Sequence, residues 1–148
     1  MATIKLHTSI KAPIQKVFDL SRDIDFHQKS ASHTHEKAIA GTTYGLINFG
    51  ETVTWRGKHF GLYLQHQSKI TAFDRPNYFV DEMIRGHFKS FKHEHIFETI
   101  PEGTLMTDIL TYETPFGMAG QLFDNIALKQ YLTTFLVKRN QAIQLALK

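Results

Sequence analysis

Nine histidines and no cysteine stand in this 148-residue chain, so any acid–base, nucleophilic or metal chemistry falls to imidazole, carboxylate and phenol groups. The absence of cysteine excludes disulfides, thiolate metal ligands and a cysteine nucleophile. His93 and His95 lie in a run where Phe91, His93, His95 and Phe97 alternate with Lys92, Glu94, Ile96 and Glu98. Side chains i and i+2 of a strand share a face, so if the two phenylalanines point inward, both imidazoles do. The same rule groups His66 with Leu62 and Leu64, and Asp108 and Tyr112 with Met106 and Leu110. On the Tyr78–Arg85 segment the inward set is either Phe79, Asp81 and Met83 or Tyr78, Val80, Glu82 and Ile84. Each choice places a carboxylate inside.

Three chemistries fit such a polar group on an apolar face. An unpaired buried polar group costs about 1–3 kcal/mol, so one reading is a satisfied His–Asp network that holds strand register. A second has one or two of these groups projecting into a cavity to take the polar end of a ligand. A third is an acid–base pair in which Asp81 or Asp108 orients a histidine. His93-X-His95 also has chelating spacing, with Cβ atoms about 6–7 Å apart, and Asp81, Asp108 or His66 could complete a metal site. An aromatic-flanked pair is equally an ordinary core pattern, so no metal, no cofactor and no catalytic residue is expected. His33-Thr34-His35 falls in a loop as a solvated pair, and His7, His27, His59 and His87 read as surface or turn residues. There is no Gly-rich phosphate loop and no Gly-X-Ser-X-Gly elbow; Gly57-Lys58 and Gly86 read as turns.

The elements that must position these residues follow from periodicity. Thr3–Ile10 alternates as a half-buried strand. Pro13 suits a first helical turn, and Ile14, Val17, Phe18 and Leu20 continue at helical spacing to about Ser21. A second short helix is expected over Asp23–Lys29, and a strand near Glu36–Ala40. Strands follow over Glu51–Arg56, His59–Phe73, Tyr78–Arg85, Lys89–Ile100 and Thr104–Thr114, with turns at Gly57-Lys58, Asp74–Asn77 and Pro101–Gly103. Pro115–Gly120 breaks the strand pattern. From Gln121 to Lys148 the chain has neither Gly nor Pro, and Leu128, Leu132, Phe135, Leu136, Ile143 and Leu147 form one face of a long amphipathic helix.

The strings Trp55-Arg56-Gly57-Lys58-His59-Phe60-Gly61, Lys69–Pro76, Phe79–Met83, Gly86-His87-Phe88-Lys89, Phe91–Glu98 and Asp108–Gly117 resemble small bacterial members of the START/Bet v 1-like (SRPBCC) superfamily, those labelled polyketide-cyclase-like. The resemblance runs over nearly the whole chain. Its Gly86-His87-Phe88 departs from the Gly-Pro-Phe common in similar members. The resemblance implies an α+β helix-grip fold, a curved antiparallel sheet of about seven strands around a long C-terminal helix, with two short helices after the first strand. It also implies a cavity between sheet and helix for a hydrophobic or aromatic small molecule. Trp55, Phe60, Leu64, His66, Phe79, Asp81, Met83, Phe91, His93, His95, Asp108, Tyr112, Leu128, Leu132 and Phe135 are the candidate lining residues. The superfamily includes carriers and enzymes, and fold alone does not choose between them. The alternative reading is a cyclase, dehydratase or hydrolase-like enzyme using a His–Asp pair.

Composition narrows the rest. A length near 150 residues matches one domain over 1–148. At 42% hydrophobic and 21% charged the chain is globular. Seventeen basic against 14 acidic residues leave +3, with the signs interspersed, so no nucleic-acid partner is expected. No apolar run approaches the roughly 20 residues of a membrane span. The N-terminal residues lack the pattern of a secretory signal, so a cytoplasmic location is expected. Nothing in the sequence specifies a protein partner.

Overall fold

The computed structural model describes residues Met1–Lys148. Strand β1 (Ala2–Ile10) is followed by helices α1 (Ile14–Ser21) and α2 (Ile24–Ser30) and a 3-10 turn at Ser32–Thr34. Six strands come next: β2 (Lys37–Gly41), β3 (Thr52–His59), β4 (Leu62–Asp74), β5 (Tyr78–Arg85), β6 (Ser90–Ile100) and β7 (Gly103–Glu113). Helix α3 (Gly117–Phe123), a π-helical turn (Asp124–Leu128) and α4 (Lys129–Ala146) then form a continuous C-terminal helix of 30 residues. The strands make one curved antiparallel sheet in the order β1-β7-β6-β5-β4-β3-β2. The expected helix-grip architecture is present.

Local chemistry explains the early elements. Pro13, extended at φ −61° and ψ 147°, precedes α1, where its missing N–H costs no helical bond. The Asp23 carboxylate accepts the Phe26 N–H at 3.0 Å and caps α2. The phenylalanines gather under α1: Phe18 meets Phe73, Phe79 and Phe97 edge-on, with ring centroids 5.2–5.4 Å apart. With Val53, Ile70, Met106 and Ile143 they form the larger of two apolar clusters, closing one end of the sheet's concave face. The smaller cluster joins Ile4, Leu110, Tyr112, Leu128 and Leu136 and fastens the C-terminal helix to β1 and β7.

Two boundaries differ from expectation. The turn between β3 and β4 falls at Phe60-Gly61, not at Gly57-Lys58, and both turn residues adopt positive φ (52° and 78°). Gly57 is instead a buried mid-strand residue paired with Leu64. A Cβ there would overlap Glu36 Oε2 and crowd His59 Nε2 at 2.9 Å. The glycine leaves room for a neighbour; it does not bend the chain. The C-terminal helix starts at Gly117, ahead of the apolar stripe. Gly120 lies against the Pro115 carbonyl and the Thr114 hydroxyl, where a side chain would not fit.

Candidate functional site

Register resolves the concave face. Asp81 pairs with His93, Phe79 with His95, His95 with Asp108, and Trp55 with His66. The inward set of β5 is therefore Phe79, Asp81 and Met83, while Tyr78 bonds Glu94 and Ile84 is 53% exposed.

The centre of this face is a closed polar cluster. His93 Nε2 lies 2.8 Å from Asp108 Oδ1, and His95 Nε2 lies 2.7 Å from Asp81 Oδ2. The two imidazoles stack with centroids 3.8 Å apart, and Phe79 covers His95 at 4.1 Å. Helix α4 supplies the partners that the strand pattern could not show. Arg139 Nη2–H donates to Asp108 Oδ1 at 2.6 Å, and Asn140 Nδ2–H donates to Asp108 Oδ2 at 2.8 Å and to Thr8 Oγ1 at 3.1 Å. Asn140 Oδ1 accepts from Arg139 Nε and Nη2. Arg139 and Asn140 follow Phe135 and Leu136 by one helical turn, so the apolar stripe itself placed them on the buried face.

Burial sets the protonation of this cluster. Burial is the main cause pushing His95 down to about 4, the neighbouring His93 adds to it, and Asp81 opposes. Burial would raise the Asp81 and Asp108 carboxyls. For Asp81, the His95 hydrogen bond and the nearby imidazoles outweigh it and hold the group at about 2. For Asp108, Arg139 and His93 outweigh it and hold the carboxyl far below the usual range. Asp108 is wholly buried and His93 and His95 are 6% and 2% exposed. His95 Nδ1 has no hydrogen-bond partner and sits 3.6 Å from Asp108 Oδ1. Asp81, His93 and His95 bring their ligating atoms within 4.8 Å of one another. Yet the Nε2 atoms already meet carboxylates, and the Arg139 cation occupies the other side of Asp108. The cluster joins the sheet to α4.

Away from the apolar end the concave face opens. Trp55, Leu64, His66, Asp81, Met83 and Phe91 point inward yet keep accessible surface, and the Asp81 side chain is 23% exposed. Tyr131, Leu132 and Phe135 of α4 are likewise part-exposed. The reason is the lie of α4, whose backbone runs close to β1, α1 and α2 and stays farther from β3–β5, reaching β3 only through side chains such as Tyr131 and Phe135 on His59. This part-exposed stretch of the concave face, the cleft, has aromatic and aliphatic side chains around one imidazole and one carboxylate. Burial lowers the His66 pKa, with Asp81 opposing, and the His66 ring meets Phe91 edge-on at 4.8 Å. Gly86 leaves room for Met83 and His66, since a Cβ would come within 2.7 Å of Met83 Sδ and 3.3 Å of His66 Nδ1.

The candidate lining residues thus separate by depth. Trp55, Leu64, His66, Asp81, Met83, Phe91, Leu132 and Phe135 border the cleft. Phe79, His93, His95, Asp108, Tyr112 and Leu128 are buried behind or beside it. Phe60 lies outside: it sits at the β3–β4 turn, 51% exposed, against Tyr131 and Phe123 with centroids at 4.6 and 5.2 Å. A separate groove of about 610 Å³ opens beside Met1, Lys89 and Phe116, with Tyr112 and Asp124 among its lining residues. There the Tyr112 hydroxyl donates to Asp124 Oδ1 at 2.5 Å, and burial with this bond raises the phenol's pKa well above its usual range.

A second constellation, which strand and helix periodicity do not mark, joins α2, β3 and α4. His27 of α2, Glu36 before β2 and His59 of β3 converge, with His27 Nε2 3.9 Å from Glu36 Oε1 and His59 Nε2 3.4 Å from Glu36 Oε2. His59 Nδ1 is 2.6 Å from the Tyr131 hydroxyl of α4. Burial would raise the Glu36 carboxyl, but His27 and His59 outweigh it and hold the group at about 2. His27 and His59, expected as surface or turn residues, are instead part-buried within a helix and a strand, whereas His33 and His35 are exposed as expected. The one sequence signal was Gly57, which reads as a turn residue but stands in a strand.

Comparison with solved structures supports the fold. A protein from Thermus thermophilus aligns over 99% of this chain and 100% of its own, at 17% identity and a TM-score of 0.74. Major latex-like protein 151 from Panax ginseng aligns over 99% and 97%, at 18% identity and 0.74. Ara h 8.0201 aligns over 96% and 97%, at 12% identity and 0.69. The fold is therefore the Bet v 1-like helix-grip fold, as the sequence resemblance implied. No protein-family model matches the chain, and no curated protein matches it significantly in sequence. No helix is long and apolar enough to cross a membrane.

Proposed function

We propose that the protein binds a hydrophobic or aromatic small molecule in the cleft between β3–β5 and α4. The observation that carries this reading is the contrast along the concave face. Its apolar end and centre are packed shut, while Trp55, Leu64, Met83, Phe91, Leu132 and Phe135 keep accessible surface around His66 and Asp81. Mostly apolar walls with a few polar groups suit ligands whose affinity comes from burial and whose orientation comes from hydrogen bonds. Asp81 is ionised and accepts a hydrogen bond from a ligand hydroxyl or amine; neutral His66 serves as donor or acceptor. The Bet v 1-like neighbours suggest the same kind of use without specifying a ligand.

The enzymatic alternative has less support. His93 and His95 are sealed from the cleft, so a general base would have to be His66 with Asp81. Native mass spectrometry of freshly purified protein and titration with a fluorescent apolar probe test the binding reading. A co-purified apolar molecule, or saturable one-to-one probe uptake that quenches the lone Trp55, is the expected result. No bound species and no uptake would refute it.

A further inference from the structure

We propose that His27 Nε2, His59 Nε2 and the Glu36 carboxylate form a binding site for one divalent first-row transition ion such as Zn²⁺. The three residues come from separate segments, α2, the loop before β2, and β3, and meet around a single carboxylate. The Glu36 side chain is nine-tenths buried, and its Oε2 atom has no hydrogen-bond partner. A buried carboxylate oxygen without a donor is rare, because it forfeits its hydration for nothing in return. The imidazole nitrogens stand 3.4 and 3.9 Å from the carboxylate oxygens, too far for good hydrogen bonds. Ligands about 2.0–2.1 Å from a tetrahedral centre lie roughly 3.3–3.4 Å apart, so His59 already stands at that separation from Oε2, and the His27 ring would have to move inward to share the ion.

The surroundings match a ligand set. A metal-bound histidine characteristically donates its other ring N–H to a fixed acceptor, which holds the free nitrogen toward the ion. The Tyr131 hydroxyl, 2.6 Å from His59 Nδ1, provides that acceptor. The His27 ring is held by Trp55 at 4.3 Å and Phe135 at 6.3 Å. Gly57 is required for the convergence, since any side chain there would displace Glu36 and crowd His59 Nε2. Two imidazoles and one carboxylate select zinc, iron, cobalt or nickel over calcium or magnesium, and leave coordination positions for water or a ligand atom. The histidine side chains are 25% and 21% exposed, so an ion can reach them. Because Trp55 and Phe135 also border the cleft, the ion would stand at its wall. The alternative trio of Asp81, His93 and His95 lacks this openness, as its Nε2 atoms are engaged and Arg139 adds a positive charge nearby.

The test uses chelator-treated full-length protein, with Zn²⁺ titrated against a chromogenic chelator and Co²⁺ followed by its visible absorption. The expected result is one equivalent bound, with a Co²⁺ spectrum of low coordination number. Glu36→Gln and His59→Gln should abolish it, and Tyr131→Phe should weaken it about ten-fold. Circular dichroism and the thermal midpoint confirm that each variant folds. Absence of stoichiometric uptake, or uptake unchanged in Glu36→Gln, overturns the proposal. Loss in Asp81→Asn with Glu36→Gln unaffected also overturns it, by moving the ion to the other trio. Apolar-probe uptake measured on the same metal-free samples reports on the cleft independently.

Discussion

Arg139 of α4 and Asp108 of β7 meet at 2.6 Å, with Arg139 7% exposed and Asp108 not exposed at all. This contact ties the C-terminal helix to the middle of the sheet, and Asn140 braces both partners. Breaking a buried pair by removing one member leaves the other charged and unsolvated. Arg139→Met should therefore cost about 3–5 kcal/mol in urea unfolding. The double variant Arg139→Met/Asp108→Leu should lose less than the two single losses added together. Additive losses would show that the pair does not act as a unit.

Tyr112 and Asp124 make the second helix–sheet tie, at the π-helical turn. Tyr112→Phe keeps the ring and removes the donor, leaving the Asp124 oxygen buried with one partner fewer. A loss of about 1–3 kcal/mol is expected by chemical denaturation. An unchanged midpoint would mean that water replaces the phenol.

Acid should weaken the fold in two stages. His95 is lowered from 6.5 to about 4 on folding, so below pH 6.5 the unfolded chain takes up a proton that the folded His95 refuses. Stability falls as pH drops through that window. The groups facing His95 are His93, Asp81, Asp108 and Arg139. Asp81 and Asp108 have depressed pKa values, so their contribution is present above about pH 4, the ordinary carboxylate range, and is lost as pH falls further. Unfolding midpoints measured from acid to neutral pH check both stages, and His95→Gln should flatten the upper one.

The cleft can be filled without touching the polar cluster. Leu132 is part-exposed on the helix face above it, and Leu132→Trp should leave the circular dichroism spectrum unchanged. Apolar-probe affinity should fall about ten-fold, the loss of roughly 1.4 kcal/mol of binding energy. Full affinity in this variant would place the probe elsewhere, the groove beside Phe116 being the first place to look.

Gly57→Ala and Gly86→Ala should differ sharply. At 57 the new methyl meets the Glu36 carboxylate and His59 inside a packed strand, and overpacking of this kind costs about 1–3 kcal/mol. At 86 it meets chiefly the flexible end of Met83, which can turn aside. Thermal midpoints of the two variants compare them directly.

Much of this was legible in the chain because it is local. Alternation over Phe91–Phe97 and Met106–Tyr112 identified the concave face, and the 3.6-residue stripe from Leu128 to Leu147 identified the helix laid against it. A side chain's direction follows from its neighbours along the strand, so His93, His95 and Asp108 could be named in advance. Alternation reports face and not depth, which is why His95 and His66 read alike although one is sealed and the other borders a cleft. The lie of α4 decided that: its backbone runs along β1, it reaches β7 through Leu136 and Arg139, and it stays farther from β3–β5. Register between β5 and β6 chose Asp81 over Glu82. Arg139, Asn140 and the meeting of His27, Glu36, His59 and Tyr131 depend on segments brought together only by the closed fold. Arg139 and Asn140 do lie on the helical stripe, one turn after Phe135 and Leu136, but no sequence period links them to Asp108 and Thr8, or His27 and Glu36 to His59, so only the closed chain brings these groups together.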